Sequence, residues 1–252
     1  MNRLLILLIL VLASACQSSK GSKVTVAVAA NMQYATQALV EQFERKYDIA
    51  VEVSSSSSGV LTTQIRQGAP FDIFMSANIK YPNTLYEEGL ATSPPSTYAS
   101  GTLILWTMNP EIDLKKGISA LLGEPTQKIA LANPETAPYG IAALEVLRHT
   151  QIYEVIAPKL VIGESIAQVN QYVLSQTVDA GLTSKSVLFS PFVKNQGYYI
   201  EIPKSYYGSI DQGIVMLQHG KEKNPENAKQ FYQFMFSEEA QTILSNYGYK
   251  IN

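Results

Sequence analysis

The sequence is poor in the residues that most chemistry requires. Its 252 residues include one cysteine, one tryptophan and two histidines. A lone cysteine excludes an internal disulfide. His149 and His219 stand far apart, one in a helix-patterned stretch and one in a loop, with no cysteine or carboxylate cluster beside them. A metal ion held by such side chains would be short of ligands. There is no G-x-S-x-G elbow, S-x-x-K pair, Walker loop or G-x-G-x-x-G fingerprint, and the scattered Asp and Glu form no acid/base pair. Charge of one sign is also missing. Nineteen Lys and Arg face 21 Asp and Glu, a net charge of −2, so no basic face for nucleic acid is expected. Any anion this chain holds must be recognised locally.

Long apolar runs are absent except for Leu4 to Leu12, which is too short to span a bilayer. With Arg3 before it and Ala13-Ser14-Ala15 after it, the run reads as a targeting segment with a small-residue cleavage site. Cys16 follows directly and is a candidate lipid acceptor of the bacterial lipoprotein type. The same Ala-x-Ala also suits ordinary signal peptidase, so both routes stay open. Ser18 to Lys23 reads as a polar tether.

What remains is 46% hydrophobic and 16% charged, enough for one large domain or two lobes with their own cores. Lys23 to Ala30 reads as a buried strand. Asn31 interrupts it, and Met32, Ala35, Leu39, Val40, Phe43 and Tyr47 then recur at helical spacing, which makes Asn31 an N-cap candidate. Ile49 to Val53 is a second strand. Ser54 to Ser58 reads as a tight loop rich in donors, with a short helix after it. Gly68 to Asn78 supplies a turn and a third buried strand, and Asp72 before that strand is better suited to fixing a loop than to catalysis. Alternation of this kind implies a parallel sheet with right-handed crossovers, whose ligands sit beyond the carboxyl ends of the strands. Asn31 and Ser58 both lie at such ends.

Thr102 to Met108 is a long apolar strand crossing into a second lobe, and it carries Trp106, a candidate reporter of lobe closure. Ile129 to Arg148 is the most informative stretch. An apolar strand ends at Asn133-Pro134. After Ala137-Pro138-Tyr139-Gly140 the period becomes helical, through Ile141, Leu144, Val146 and Leu147. The backbone amides of such a turn, with a helix dipole behind them, form a site for an anion. Leu160 to Gly163 and Val178 to Leu182 are further strands, with a helix starting at Glu164-Ser165. Tyr198, Ile200 and Ile202 alternate as an outer strand. Ile210 to Leu217 is the strand crossing back, and two final helices begin at Asn224-Pro225 and Ser237.

Several of these segments match one family in order: VAVAAN at Val26 to Asn31, the serine run to Ser58, GAPFDIFMSAN at Gly68 to Asn78, IALANPETAPYG at Ile129 to Gly140, VDAG at Val178 to Gly181, and NYGYKI near the end. The chain resembles the periplasmic molybdate-binding proteins of ABC importers. The resemblance implies an α/β, two-lobed type II periplasmic binding protein fold, each lobe a mostly parallel sheet flanked by helices, with the ligand in the cleft between them. It divides the chain into a signal peptide (1–15), a tether (16–23), lobe I (24–101 with 212–252) and lobe II (102–211). It implies a periplasmic or cell-envelope monomer, not an enzyme, that takes molybdate or tungstate, needs no cofactor, and serves a membrane permease. The metal is bound only as the oxyanion, and lobe closure by a hinge near Thr102 and Asp211 is expected.

Carried over residue by residue, the oxyanion contacts fall on Asn31, Ser58, the backbone amides of Tyr139 and Ile166, and Ser184, where the family usually has a tyrosine. Asn78 stands where the family usually has aspartate. The alternatives are a binding protein for another oxyanion such as sulfate, or a secreted hydrolase with Ser58 as nucleophile.

Overall fold

Ten strands fall into two sheets in the computed structural model, which describes residues 23–193 and 196–251. The expected leader, Cys16 and most of the tether lie outside the described residues. In chain order the strands are β1 (Val24–Ala29), β2 (Val51–Ser56), β3 (Ile73–Ser76), β4 (Ser96–Ser100), β5 (Leu103–Thr107), β6 (Ile129–Ala132), β7 (Leu160–Gly163), β8 (Ala180–Ser184), β9 (Tyr198–Glu201) and β10 (Asp211–Met216). The first sheet has the order β2-β1-β3-β10-β4 and the second β7-β6-β8-β5-β9. Each has a parallel core, β2-β1-β3 in one and β7-β6-β8 in the other. Antiparallel strands complete both: β10 and β4 in the first, β5 and β9 in the second. The result is the two-lobed fold expected above.

The cores follow from the apolar patterns. The helix Gln33–Tyr47 buries Ala35, Leu39 and Phe43, spaced four apart on one stripe. Phe43 meets Phe231 and Phe234 edge-on, at centroid distances of 5.0 and 5.4 Å, so the C-terminal helices close the first lobe's core. In the second lobe β5 is buried at every position, as suits a strand with a neighbour on each side.

Four details depart from the sequence reading. The serine run is not all loop: Ser54 to Ser56 complete β2, because each is in parallel register with β1, ending at Ala29↔Ser56. Asn31 does not cap the long helix. It lies inside a 3₁₀ turn, Ala30–Met32, and its side chain bonds elsewhere. Strand β4 went unread because only its last three residues are buried. Trp106 is fully buried within the second lobe and donates Nε1–H to Gln196 O at 3.3 Å, which makes it a poor reporter of motion between lobes.

The chain passes between the sheets twice, at Gly101-Thr102 and across 202–210. A third thread joins this region from the C-terminus: Ser100 and Lys250 exchange both backbone hydrogen bonds, at 2.8 and 2.9 Å.

Candidate functional site

Strand register alone brings the site together. Ala29 pairs with Ser56 and Val28 with Met75, so Ala30, Ser57 and Ala77 stand level just beyond the carboxyl ends of three parallel strands. Across the cleft, Ala132 pairs with Gly163 and Leu131 with Leu182, which sets the turns after β6 and β7 level with each other. From these turns start three helices, Ser58–Arg66, Pro138–His149 and Ile166–Leu174.

The three helix starts converge on one cavity, lined by Ala29, Ala30, Asn31, Ser57, Ser58, Ala77, Ala137, Pro138, Tyr139 and Ile166. It is small: the space open to the centre of a water-sized sphere is about 10 Å³, far below the roughly 300–1,000 Å³ of sites for organic ligands, so only a very small ligand fits. Among the described residues no charged side chain lines it. None of the three N-cap residues, Ser57, Ala137 and Ser165, makes a side-chain capping bond. The helix-terminal amides, which carry partial positive charge, are therefore not neutralised by their own caps.

Of the five expected contact residues, Asn31, Ser58, Tyr139 and Ile166 line this cavity. Ser58 Oγ accepts a hydrogen bond from Ala77 N–H at 3.0 Å, which leaves its own proton to donate. Asn31 is turned towards the hinge: Nδ2 donates to Gln212 Oε1 at 2.8 Å and to the Tyr249 hydroxyl at 2.9 Å. The Tyr139 hydroxyl also points towards the hinge. It lies against Gly101, where a Cβ would come within 2.1 Å of it, so a side chain at 101 would displace the ring. Burial, and then the neighbouring Tyr249, push the Tyr139 hydroxyl well above its ordinary pKa, so it remains a neutral O–H.

Ser184 is the exception. It is fully buried and does not line the cavity. Its Oγ is 2.9 Å from Ser186 Oγ, and Ser186 Oγ donates to Asn31 O at 2.7 Å. Ser184 thus stands one hydrogen bond removed from the Asn31 carbonyl, through Ser186. Asn78 begins a turn, its Oδ1 accepting from Tyr81 N–H at 3.2 Å.

Ser57 does not stand out in the sequence. It lines the cavity, is buried, and its Oγ takes no partner. Five consecutive serines offer no internal signal as to which face inward; the strand register that decides it is tertiary.

The lobes touch around this cavity. Gly59 N–H donates to Thr136 O at 2.8 Å and the Tyr81 hydroxyl to Glu135 O at 3.2 Å. With the Ser186 bond these form an inter-lobe seam, so the structure is that of a closed cleft. Away from the cleft, Asp72 is buried at the entry of β3 and accepts from Thr25 N–H (2.9 Å) and Asn224 Nδ2 (3.1 Å). His219 Nδ1 lies 2.9 Å from its other oxygen. His219 therefore does have a carboxylate beside it, contrary to its isolation in sequence, while no group of three potential metal ligands occurs among the described residues.

Comparison with known proteins identifies the family. Residues 24–250 match the family model for bacterial extracellular solute-binding proteins. The chain is 35% identical to the molybdate-binding protein ModA of Rhodobacter capsulatus over 243 residues, 96% of this chain and 93% of that protein. It is 33% identical to ModA of Azotobacter vinelandii over 233 residues, 92% and 91% of the two chains. The solved periplasmic molybdate-binding protein of A. vinelandii superimposes with a TM-score of 0.86 at 31% identity, covering 91% of this chain and 100% of that one.

Proposed function

The chain belongs to the bacterial extracellular solute-binding proteins, and on that premise we propose that it captures molybdate outside the cytoplasm and delivers it to the membrane permease of an ABC importer. The observation that carries this reading is the convergence of three helix starts without side-chain caps on one small cavity lined by no charged side chain. Molybdate at neutral pH is a dianion without a proton, so it only accepts hydrogen bonds. A pocket of neutral donors suits it, and bonds from neutral donors to an ion strengthen once water is excluded. Phosphate retains a proton over much of the neutral range and requires an acceptor, and among the described residues no carboxylate lines the cavity.

In this reading Ser58 donates its hydroxyl, and the backbone amides at Tyr139 and Ile166 donate from two helix starts. Asn31 contributes from the cavity wall while its side chain reports the ligand to the hinge through Gln212 and Tyr249. Ser184 holds the Asn31 backbone in place through Ser186. Closure follows from the anion bonding both lobes at once, since a ligand shifts a conformational equilibrium only by its differential affinity for the two states. Tungstate, nearly the same size and charge, is bound as well; sulfate has the same charge but shorter bonds and is rejected by fit. The protein acts as a monomeric carrier without cofactor or catalysis, at the cell envelope.

The test is thermal melting of the purified chain against molybdate, tungstate, sulfate and phosphate. At about a thousand times the dissociation constant a one-site ligand adds roughly 4 kcal/mol of stability. A large upward shift with molybdate and tungstate and little with sulfate is expected; no shift with either metal oxyanion would sink the reading. A second expectation concerns pH. Among the described residues no carboxylate, histidine or lysine lines the cavity, and the phenol that does, Tyr139, is raised far from neutrality. Molybdate affinity should accordingly be flat between roughly pH 6 and 9, and a calorimetric titration series showing a tenfold change across that window would contradict the cavity described.

A further inference from the structure

We propose that the Ser57 hydroxyl is a further donor to the bound oxyanion, and that it sets affinity alongside Ser58 and the helix amides. The proposal rests on the oxyanion reading above. Ser57 is the N-cap of the helix Ser58–Arg66, with the extended backbone (φ −67°, ψ 150°) of that position. A serine there ordinarily turns its hydroxyl back to accept from an amide of the first turn. In this same chain Ser237 does so, accepting from Ala240 N–H at 3.3 Å. Ser57 does not.

Its Oγ is left buried, with only 3% of the residue exposed, and without any hydrogen-bond partner. Buried polar groups are nearly always satisfied, and an exception calls for a reason. Four such side-chain oxygens occur among the described residues: Thr36 Oγ1, Ser57 Oγ, the Tyr98 hydroxyl and Thr102 Oγ1. Of these residues Ser57 alone lines the cavity.

A missing partner at the wall of a ligand cavity points to a partner supplied by the ligand. The chemistry fixes the direction of the bond. A fully deprotonated oxyanion has only acceptors, so the hydroxyl donates. Forgoing the cap has a second effect: apart from Gly59 N–H, which donates to Thr136 O, the first-turn amides of this helix are left without a capping acceptor. One serine thereby adds a hydroxyl donor and leaves the dipole of its helix open to the anion.

The test is isothermal titration of the purified chain and its Ser57→Ala and Ser57→Gly variants with molybdate, with melting curves recorded without ligand. Both variants should lose about ten- to a hundredfold in affinity, as for a hydrogen bond to a charged group. Ligand-free melting should hold or rise in Ser57→Ala, because the deleted oxygen has no protein partner to lose. Affinity within about twofold of wild type in both variants overturns the proposal and leaves the oxyanion reading standing. A lowered ligand-free melting temperature with unchanged affinity also overturns it, since that is the signature of an ordinary cap. If the unsubstituted chain fails to bind molybdate or tungstate, the oxyanion reading falls and this proposal with it.

Discussion

Replacing Gly59 by valine should lower molybdate affinity by about a hundredfold, or roughly 3 kcal/mol, while leaving the ligand-free protein at least as stable as before. Gly59 is in the first turn of the helix Ser58–Arg66, and its N–H reaches across the cleft to Thr136 O. A Cβ added there would lie 2.9 Å from Thr136 Cα and 3.0 Å from both Thr136 O and the Tyr81 hydroxyl. Two of these three atoms belong to the opposite lobe's backbone, which cannot swing aside as a side-chain tip can. In the closed state the larger residue therefore pushes the lobes apart. In an open cleft it meets no such obstacle, and a helical position gains up to about 1 kcal/mol on losing glycine. The two effects have opposite signs, so a folding defect cannot imitate the result. Titration calorimetry and melting of Gly59→Ala and Gly59→Val would show a graded loss of affinity. If valine binds molybdate as tightly as glycine, the Gly59–Thr136 seam is not part of the binding-competent state.

The largest effect on stability should come from Asp72→Ala. The Asp72 carboxylate joins three parts of the first lobe: the Thr25 amide at the start of β1, the Asn224 side chain and the His219 ring. Its backbone also takes part, since Asp72 N–H donates to Thr25 O and Asp72 O accepts from Leu217 N–H. Alanine keeps those backbone bonds but leaves Thr25 N–H without its acceptor and removes one bond each from Asn224 Nδ2, which retains Lys23 O, and from the partly exposed His219 ring. Hydrogen bonds to a charged group are worth about 1.5–3 kcal/mol each, so a loss of roughly 3–5 kcal/mol is expected. For a chain of this size that corresponds to a fall in melting temperature of roughly 10 °C. Molybdate affinity measured well below the transition should stay near wild type, because Asp72 precedes β3 whereas the cavity lies beyond that strand's other end. Scanning calorimetry showing a fall of less than about 2 °C would mean that Asp72 is not the brace described.

The fold was legible to the extent that it is written in local periodicity. The buried strands at Val26, Ile73, Leu103 and Ile129, and the helices after Asn31, Ser58 and Gly140, stand out because continuous apolar runs and four-residue stripes report burial directly. Strand β4 lacked such a signal, since two of its five residues are only partly buried. In the site, Asn31, Ser58, Tyr139 and Ile166 were legible as residues next to helix starts, and strand register then set them level. Side-chain direction was not legible. Asn31 looks like a cap in sequence yet bonds Gln212, 181 residues away, and the Tyr139 phenol turns to Gly101 in the hinge. For Ser184 the motif gives the position, the end of β8, but not that its hydroxyl pairs with Ser186 instead of lining the cavity. Ser57 was hidden within a run of identical residues.

The place of β10 has a consequence for the order in which the molecule assembles. In the first sheet β10 lies between β3 and β4, so β4 has no sheet neighbour until residues 211–216 arrive. The second sheet is built entirely from residues 103–201 and has no such dependence. A chain emerging from its amino end can complete the later lobe in sequence while the earlier lobe waits, inverting the usual order in which amino-terminal parts fold first. The Ser100–Lys250 bonds and the Tyr249 hydroxyl on Asn31 extend that wait to residues 249 and 250. The cavity is lined by both lobes and Asn31 is held by Tyr249, so in the emerging chain it is not complete until residues 249 and 250 are in place.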